Sequence, residues 1–232
     1  MAGDLAAVLA EAARVLQSEQ GERATMQRTL ELAVALVPSC EEAGISVVVR
    51  GQFDSPAVSS EVVAAVDRLQ AEYGEGPCID AILEQRLVYG SDLAADARWR
   101  LWGPAVVSEF GIRSMLCFRL FTAEDVVGAL NLYSSQPNAF DTVDRDHGVA
   151  LAAHAAVAVV CAQHADQMRV ALDSRTVTAQ ATGILMERHG LPADTAFDVL
   201  RRVSSQTNRK LRDVAQELVM SGHVSAGDRT LL

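Results

Sequence analysis

The residues best suited to chemistry cluster near the C-terminal end of the chain. Arg201, Arg202, Arg209, Lys210 and Arg212 place five cations within twelve residues, with Asn208 among them. Guanidinium groups this close together suit a phosphate backbone, and arginine also contacts base edges in exposed loops. The same residues also describe a solvated helical face salted by Asp198 and Asp213, and spacing alone leaves both readings open. A second group, Asp92, Asp96, Arg98 and Trp99, crowds two carboxylates, a guanidinium and an indole into eight residues. It suits either a ligand contact or a pinned loop.

Other candidates point away from catalysis. Cys40, Cys78, Cys117 and Cys161 lie 38, 39 and 44 residues apart, with no CxxC pair and no histidine at ligand spacing, so no metal site is expected. Cys78 follows Gly76-Pro77, where thioether attachment or redox sensing competes with plain half-burial after a turn. His147, His154 and His164 share one helical stretch but lack partners that would complete a metal or haem site. The chain has no GxSxG, HExxH or P-loop, and the lone GEG at 74–76 lacks the third glycine of a dinucleotide turn. No catalytic residue and no cofactor are expected.

Composition bounds the setting. With 232 residues, half of them apolar and 22% charged, the chain suits one large globular domain or two small ones. A net charge of −10 argues against nucleic acid if it is spread evenly. It is not spread evenly. Residues 166–232 hold nine basic and eight acidic side chains, a net of +1, which leaves −11 on residues 1–165. Scattered single thiols fit a reducing compartment. Asp4 stands where a signal peptide needs positive charge, and the longest strongly apolar run, Leu151 to Ala162, is twelve residues, short for a bilayer. These features together predict a cytoplasmic protein with no membrane span.

Periodicity supplies the elements. Helical spacing covers Asp4 to about Glu19, Ala24–Leu36, Ser60–Ala71, Ile79–Glu84 and Trp102–Phe110. Strand patterns cover Gly44–Arg50, the stretch opening at Leu87, Arg113–Phe121 and Val126–Tyr133, the last two joined by a turn at 123–125 into a hairpin. Gly51–Pro56 reads as loop. From Thr142 to His189 there is no proline, which leaves either one very long helix or a packed helix broken near Gln163. After the stop at Gly190-Leu191-Pro192, two further helices run over Ala193–Gln206 and Leu211–Ser221. Helices, then strands with short helices between them, then helices predict an α+β domain with an antiparallel sheet followed by a small all-α unit. The all-round apolar Leu151–Ala162 stretch predicts a homodimer, because it needs a second surface to cover it.

Two segments resemble known families. VYGSDLAADARWRLW, FGIRSMLCFRL, VVGALNLYSS and PNAF are similar to the GAF domain, a six-stranded small-molecule and signalling module. Ala181-x-Gly183-Ile184-Leu185-Met186, Ala196-Phe197-x-x-Leu200-Arg201 and Leu211-x-x-Val214-Ala215 resemble the ANTAR domain, a three-helix RNA-binding module of transcription antiterminators. The resemblance implies an N-terminal helix over 1–20, a GAF-like sensor domain over 21–162 and an ANTAR-like RNA-binding domain over 163–228, joined by a long helix. It implies binding of hairpins in nascent leader RNA through Arg201, Arg202, Asn208, Arg209, Lys210 and Arg212. It further implies a small-molecule ligand in the sensor, touched by Cys78, Asp92, Asp96, Arg98 and Trp99. Cyclic-nucleotide binding is not expected: Asn131, Phe140 and Asp144 echo that motif, but Leu132 stands in place of its lysine and Arg145 in place of an acidic residue. In the helical part, Ile184, Leu185, Met186, Phe197, Leu200, Val203, Leu211, Val214, Ala215 and Leu218 form the expected core. Gly183 is expected at a close helix crossing, since glycine inside a helix costs about 1 kcal/mol relative to alanine.

Overall fold

A computed structural model describes residues 2–49, 52–83, 87–123 and 126–223. Several expectations therefore lie outside the described residues: the strand end at Arg50, Gly51, the helix end at Glu84, the turn residues Glu124 and Asp125, Arg229, and the domain end at 228. Two compact units emerge, Met1–His164 and Ala165–Leu232.

In the first unit, α1 (Ala2–Ser18) and α2 (Glu22–Leu36) precede β1 (Glu42–Val49) and β2 (Gln52–Val58). Then come α3 (Glu61–Tyr73), α4 (Pro77–Leu83), β3 (Leu87–Gly90), α5 (Trp102–Phe110), β4 (Ser114–Phe121) and β5 (Val126–Ser134). The strands form one antiparallel sheet in the order β2-β1-β5-β4-β3. Alternation of side chains across the pleat gives the sheet two apolar faces. Ile45, Leu116, Phe118, Leu130 and Leu132 pack on one face against α1, α2 and α6 (Thr142–His189). Met115, Cys117, Ala129 and Tyr133 pack on the other against α3, α4 and α5.

Three local expectations are corrected. The stretch 52–56 is not a loop: it belongs to β2, an edge strand, where Pro56 is tolerated because one side of the strand has no ladder partner. The sheet has five strands among the described residues, not the six that the resemblance implied. Cys78 lies inside the first turn of α4 and is 2% exposed, rather than half-buried after a turn.

The proline-free stretch is one unbroken helix of 48 residues. Asp144 anchors its first turn: its carboxylate accepts from the Ser39 hydroxyl at 2.8 Å and from the Asp141 amide at 3.0 Å. An 18-residue window of α6 has a mean hydropathy of 1.5, long and apolar enough to cross a membrane, which corrects the inference drawn from the twelve-residue run. Leu151, Ala155, Ala156 and Val159 nevertheless pack into the sheet's core, so that face of the helix is taken by protein.

In the second unit, α7 (Ala193–Thr207) and α8 (Leu211–Ser221) pack with the end of α6. Ala181, Leu185, Ala196, Leu200, Val203, Val214, Ala215 and Leu218 are buried together. Two core expectations fail here: Met186 and Phe197 are 37% and 40% exposed. On α7 the positions 196, 200 and 203 already complete one helical face, and Phe197 falls about 100° away from it. Gly183 fails too. A Cβ there would meet nothing within 4 Å, so the glycine serves no close crossing against Ala181 or Ala196.

Candidate ligand pocket and nucleic-acid interface

On the α3 side of the sheet, a carboxylate sits where an apolar residue is expected. Val63, Val66, Asp67 and Gln70 are the buried face of α3, and Asp67 is only 7% exposed. Four neutral donors surround it: Ser55 at 2.6 Å, Tyr133 at 2.6 Å, Ser46 at 3.0 Å and Gln70 at 3.3 Å. These fill roughly the four acceptor sites a carboxylate offers. Burial still pushes the Asp67 pKa up, opposed by those hydrogen bonds. Behind Ser46 lies Asn131, fully buried, whose amide donates to the Ser46 hydroxyl at 2.8 Å while its Oδ1 has no partner.

The cluster opens outward. A cleft of about 350 Å³ between β2 and α3 is lined by Phe53, Asp54, Ser55, Asp67, Arg68 and Glu72 among others. A second, of about 400 Å³, lies on the other flank of β2 against Glu22, Arg23 and Met26. Both have the volume of a small-molecule site. Neither was anticipated, although a polar residue at a buried helical position, as at Asp67, is a signal the sequence carries.

Four of the residues expected to touch a ligand are held by protein partners. Arg113 grips the Asp92 carboxylate from two nitrogens, at 2.9 and 3.1 Å. Arg98 donates to both oxygens of Asp96 and, at 2.6 Å, to the Tyr89 carbonyl. The guanidinium holds the Asp96 carboxyl below its usual range. Arg98 also covers the Trp99 ring at 4.1 Å. Trp99 is 1% exposed and donates its indole N–H to Asp80 at 3.0 Å. These four residues brace the segment after β3. Cys78 is buried in the same apolar cluster as Trp99, near Asp67, and burial pushes its thiol up to about 12.

In the second unit the cations divide into two sets. Arg201 pairs with Asp198 at 3.0 Å, and Arg209, only partly exposed, with Glu217 at 2.6 Å. Among the described residues, Arg202, Lys210 and Arg212 make no ion pair or hydrogen bond with their side chains. Lys210 and Arg212 flank the turn between α7 and α8, and Arg202 lies on α7 ahead of it. Asn208 builds that turn by taking the left-handed conformation, φ 51°, that ends α7, and asparagine tolerates it better than most residues. The Ser204 hydroxyl donates to the Arg209 carbonyl at 2.6 Å and tightens it. Lys210 is the residue before α8, and Arg212 lies in its first turn. Cations there face the positive end of the helix dipole, an arrangement that weakens the helix and favours an external anion. Arg188 sits at the opposite, favourable end, donating to the Gly222 carbonyl after α8.

Comparison with known proteins follows the same division. A family model described as a GAF domain matches residues 19–160, and one described as an ANTAR domain matches residues 166–219. No curated protein matches the chain. Among solved structures, the GAF domain of an Acinetobacter phosphoenolpyruvate-protein phosphotransferase aligns with a TM-score of 0.56 at 15% identity, covering 71% of this chain and 97% of that one. The corresponding Coxiella burnetii domain aligns at 0.56 and 13%, covering 70% and 96%. A free methionine-R-sulfoxide reductase from Neisseria meningitidis, in complex with its substrate, aligns at 0.51 and 18%, covering 68% and 89%. At these identities the likeness is one of fold.

Proposed function

Because the chain belongs to the GAF-domain family and carries an ANTAR domain after its GAF domain, we propose that it is a signal-responsive cytoplasmic regulator that binds hairpins in nascent leader RNA and promotes antitermination. The two domain types pair small-molecule sensing with RNA binding. The observation that carries the RNA reading is the set of unpaired cations Arg202 on α7 and Lys210 and Arg212 at the start of α8, the last two placed against the dipole of α8. The ligand reading rests on the cleft beside Asp67.

Two other readings account for less. A reductase like one of the structural neighbours needs an accessible thiolate. Here Cys40, Cys78 and Cys117 are buried, and burial raises all three thiols above their usual range, while the exposed Cys161, on α6, does not line the cleft beside Asp67. In the second reading the C-terminal helices only dimerise. Dimerisation and RNA binding are compatible. Residues 147–165 of α6 carry no Asp, Glu, Lys or Arg, and Val149 and Val157 are 50% and 55% exposed. We assign this uncharged outer face to a second copy of the chain, so sedimentation at micromolar concentration should show a dimer that Val157→Glu dissociates.

Titration of the full-length protein against a tandem-hairpin RNA at several salt concentrations tests the RNA reading. The logarithm of affinity should fall linearly with the logarithm of salt, by roughly 0.7–0.9 per phosphate neutralised. An Arg202→Ala/Lys210→Ala/Arg212→Ala variant should bind more weakly with a shallower slope. A dimer without salt-dependent RNA affinity, or a triple variant that binds as well as the parent, would leave dimerisation as the role of the C-terminal helices.

A further inference from the structure

Apart from histidines, the chain from Asp141 to Leu232 has a single aromatic ring, Phe197, and it is on the surface. It is 40% exposed and lies outside the buried cluster formed by Ala196, Leu200 and Val203 on the same helix. On an α-helix, residues three and four apart are neighbours, so Asp194 precedes the ring by one turn and Arg201 follows it by one. Asp198 comes next in sequence and pairs with Arg201 at 3.0 Å. Two carboxylates this near disfavour a phosphate directly over the ring. They do not disfavour an uncharged base.

Proteins that read unpaired RNA stack bases on aromatic faces or on guanidinium planes. We propose that Phe197 is the stacking platform for one unpaired loop base of the bound RNA, with the Arg201 guanidinium meeting that base's edge or the neighbouring nucleotide. Arg201 is free to do so: its side chain is 71% exposed, and its bond to Asp198 is a surface pair of little strength. The division of labour is then by chemistry. Arg202, Lys210 and Arg212 hold the backbone, and Phe197 holds a base. This inference rests on the RNA reading above, and it accounts for a ring held outside the buried cluster of its unit.

The experiment uses the full-length protein and a tandem-hairpin RNA with 2-aminopurine placed at each loop position in turn. Phe197→Tyr keeps a ring and should retain affinity. Phe197→Leu keeps apolar bulk without a π-face, and it should weaken binding about ten- to a hundredfold with an unchanged salt slope. The fluorescence change of one loop position should disappear in Phe197→Leu and survive in Phe197→Tyr. Thermal unfolding should match the parent's, since the ring lies outside the core. The inference is overturned if Phe197→Leu binds salt-dependently like the parent, a result that leaves the RNA reading standing. It is also overturned if Phe197→Leu lowers affinity only together with loss of the dimer, which would make the ring a subunit contact. A parent with no RNA affinity at all overturns both.

Discussion

At the scale of single residues, the charged group after β3 that stood out in the sequence braces a segment, while the buried carboxylate Asp67 was not singled out. Asp92, Asp96, Arg98 and Trp99 were legible as a group because they are close in sequence, and the structure spends them on bracing one segment. The Asp67 cluster joins β1, β2, α3 and β5, and no local pattern reveals which distant serine and tyrosine meet one carboxylate. Its energetics yield a pH prediction. Burial raises the folded-state pKa of Asp67 above the ordinary 3.8, so the folded chain holds a proton that the unfolded chain releases. Stability therefore falls as pH rises from about 4 through the folded-state value. Urea unfolding of the first unit, as parent minus Asp67→Asn, should show that decline, because the amide cannot titrate. A difference independent of pH would mean that Asp67 titrates at its ordinary value. Asp67→Ala, which leaves four donors without an acceptor, should cost on the order of 2–4 kcal/mol.

At the scale of elements, the long helix was legible from the absence of proline, and both hairpin strands from their β-branched and aromatic runs. Strand β2 was not, because Gly51, Asp54, Ser55 and Pro56 are turn formers; Asp54 pairs with Val47 in the ladder, while Ser55 and Pro56 fall at a register shift in an edge strand. Phe197 was misplaced for a related reason: being apolar qualified it for the core, but helical phase excludes it. The two glycines of α6 show how differently one residue type behaves along a single helix. A Cβ at Gly183 meets nothing, so Gly183→Ala should stabilise the helix by about 1 kcal/mol. A Cβ at Gly148 would come within 2.2 Å of the Phe118 ring. Gly148→Ala should therefore destabilise the first unit by about 1–3 kcal/mol, the usual cost of overpacking. Thermal unfolding of both variants, followed by circular dichroism, checks the opposite signs.

At the scale of the whole molecule, the net charge of −10 conceals two unlike halves, one acidic and one nearly balanced. Among the described residues of the balanced half, three unpaired cations, Arg202, Lys210 and Arg212, lie on the last turns of α7 and at the start of α8, with Arg175 apart from them on α6. Charge alone did not point to RNA; the ANTAR match from residue 166 to 219 did, and the geometry then separated unpaired cations from paired ones. We propose that a bound leader hairpin keeps RNA polymerase transcribing. Transcription in vitro, on a template with tandem hairpins overlapping an intrinsic terminator, tests it most directly. The full-length protein should raise the fraction of full-length transcript in proportion to hairpin occupancy, while the Arg202→Ala/Lys210→Ala/Arg212→Ala variant should not. Readthrough that stays at its basal level when the hairpins are saturated with protein would contradict the claim.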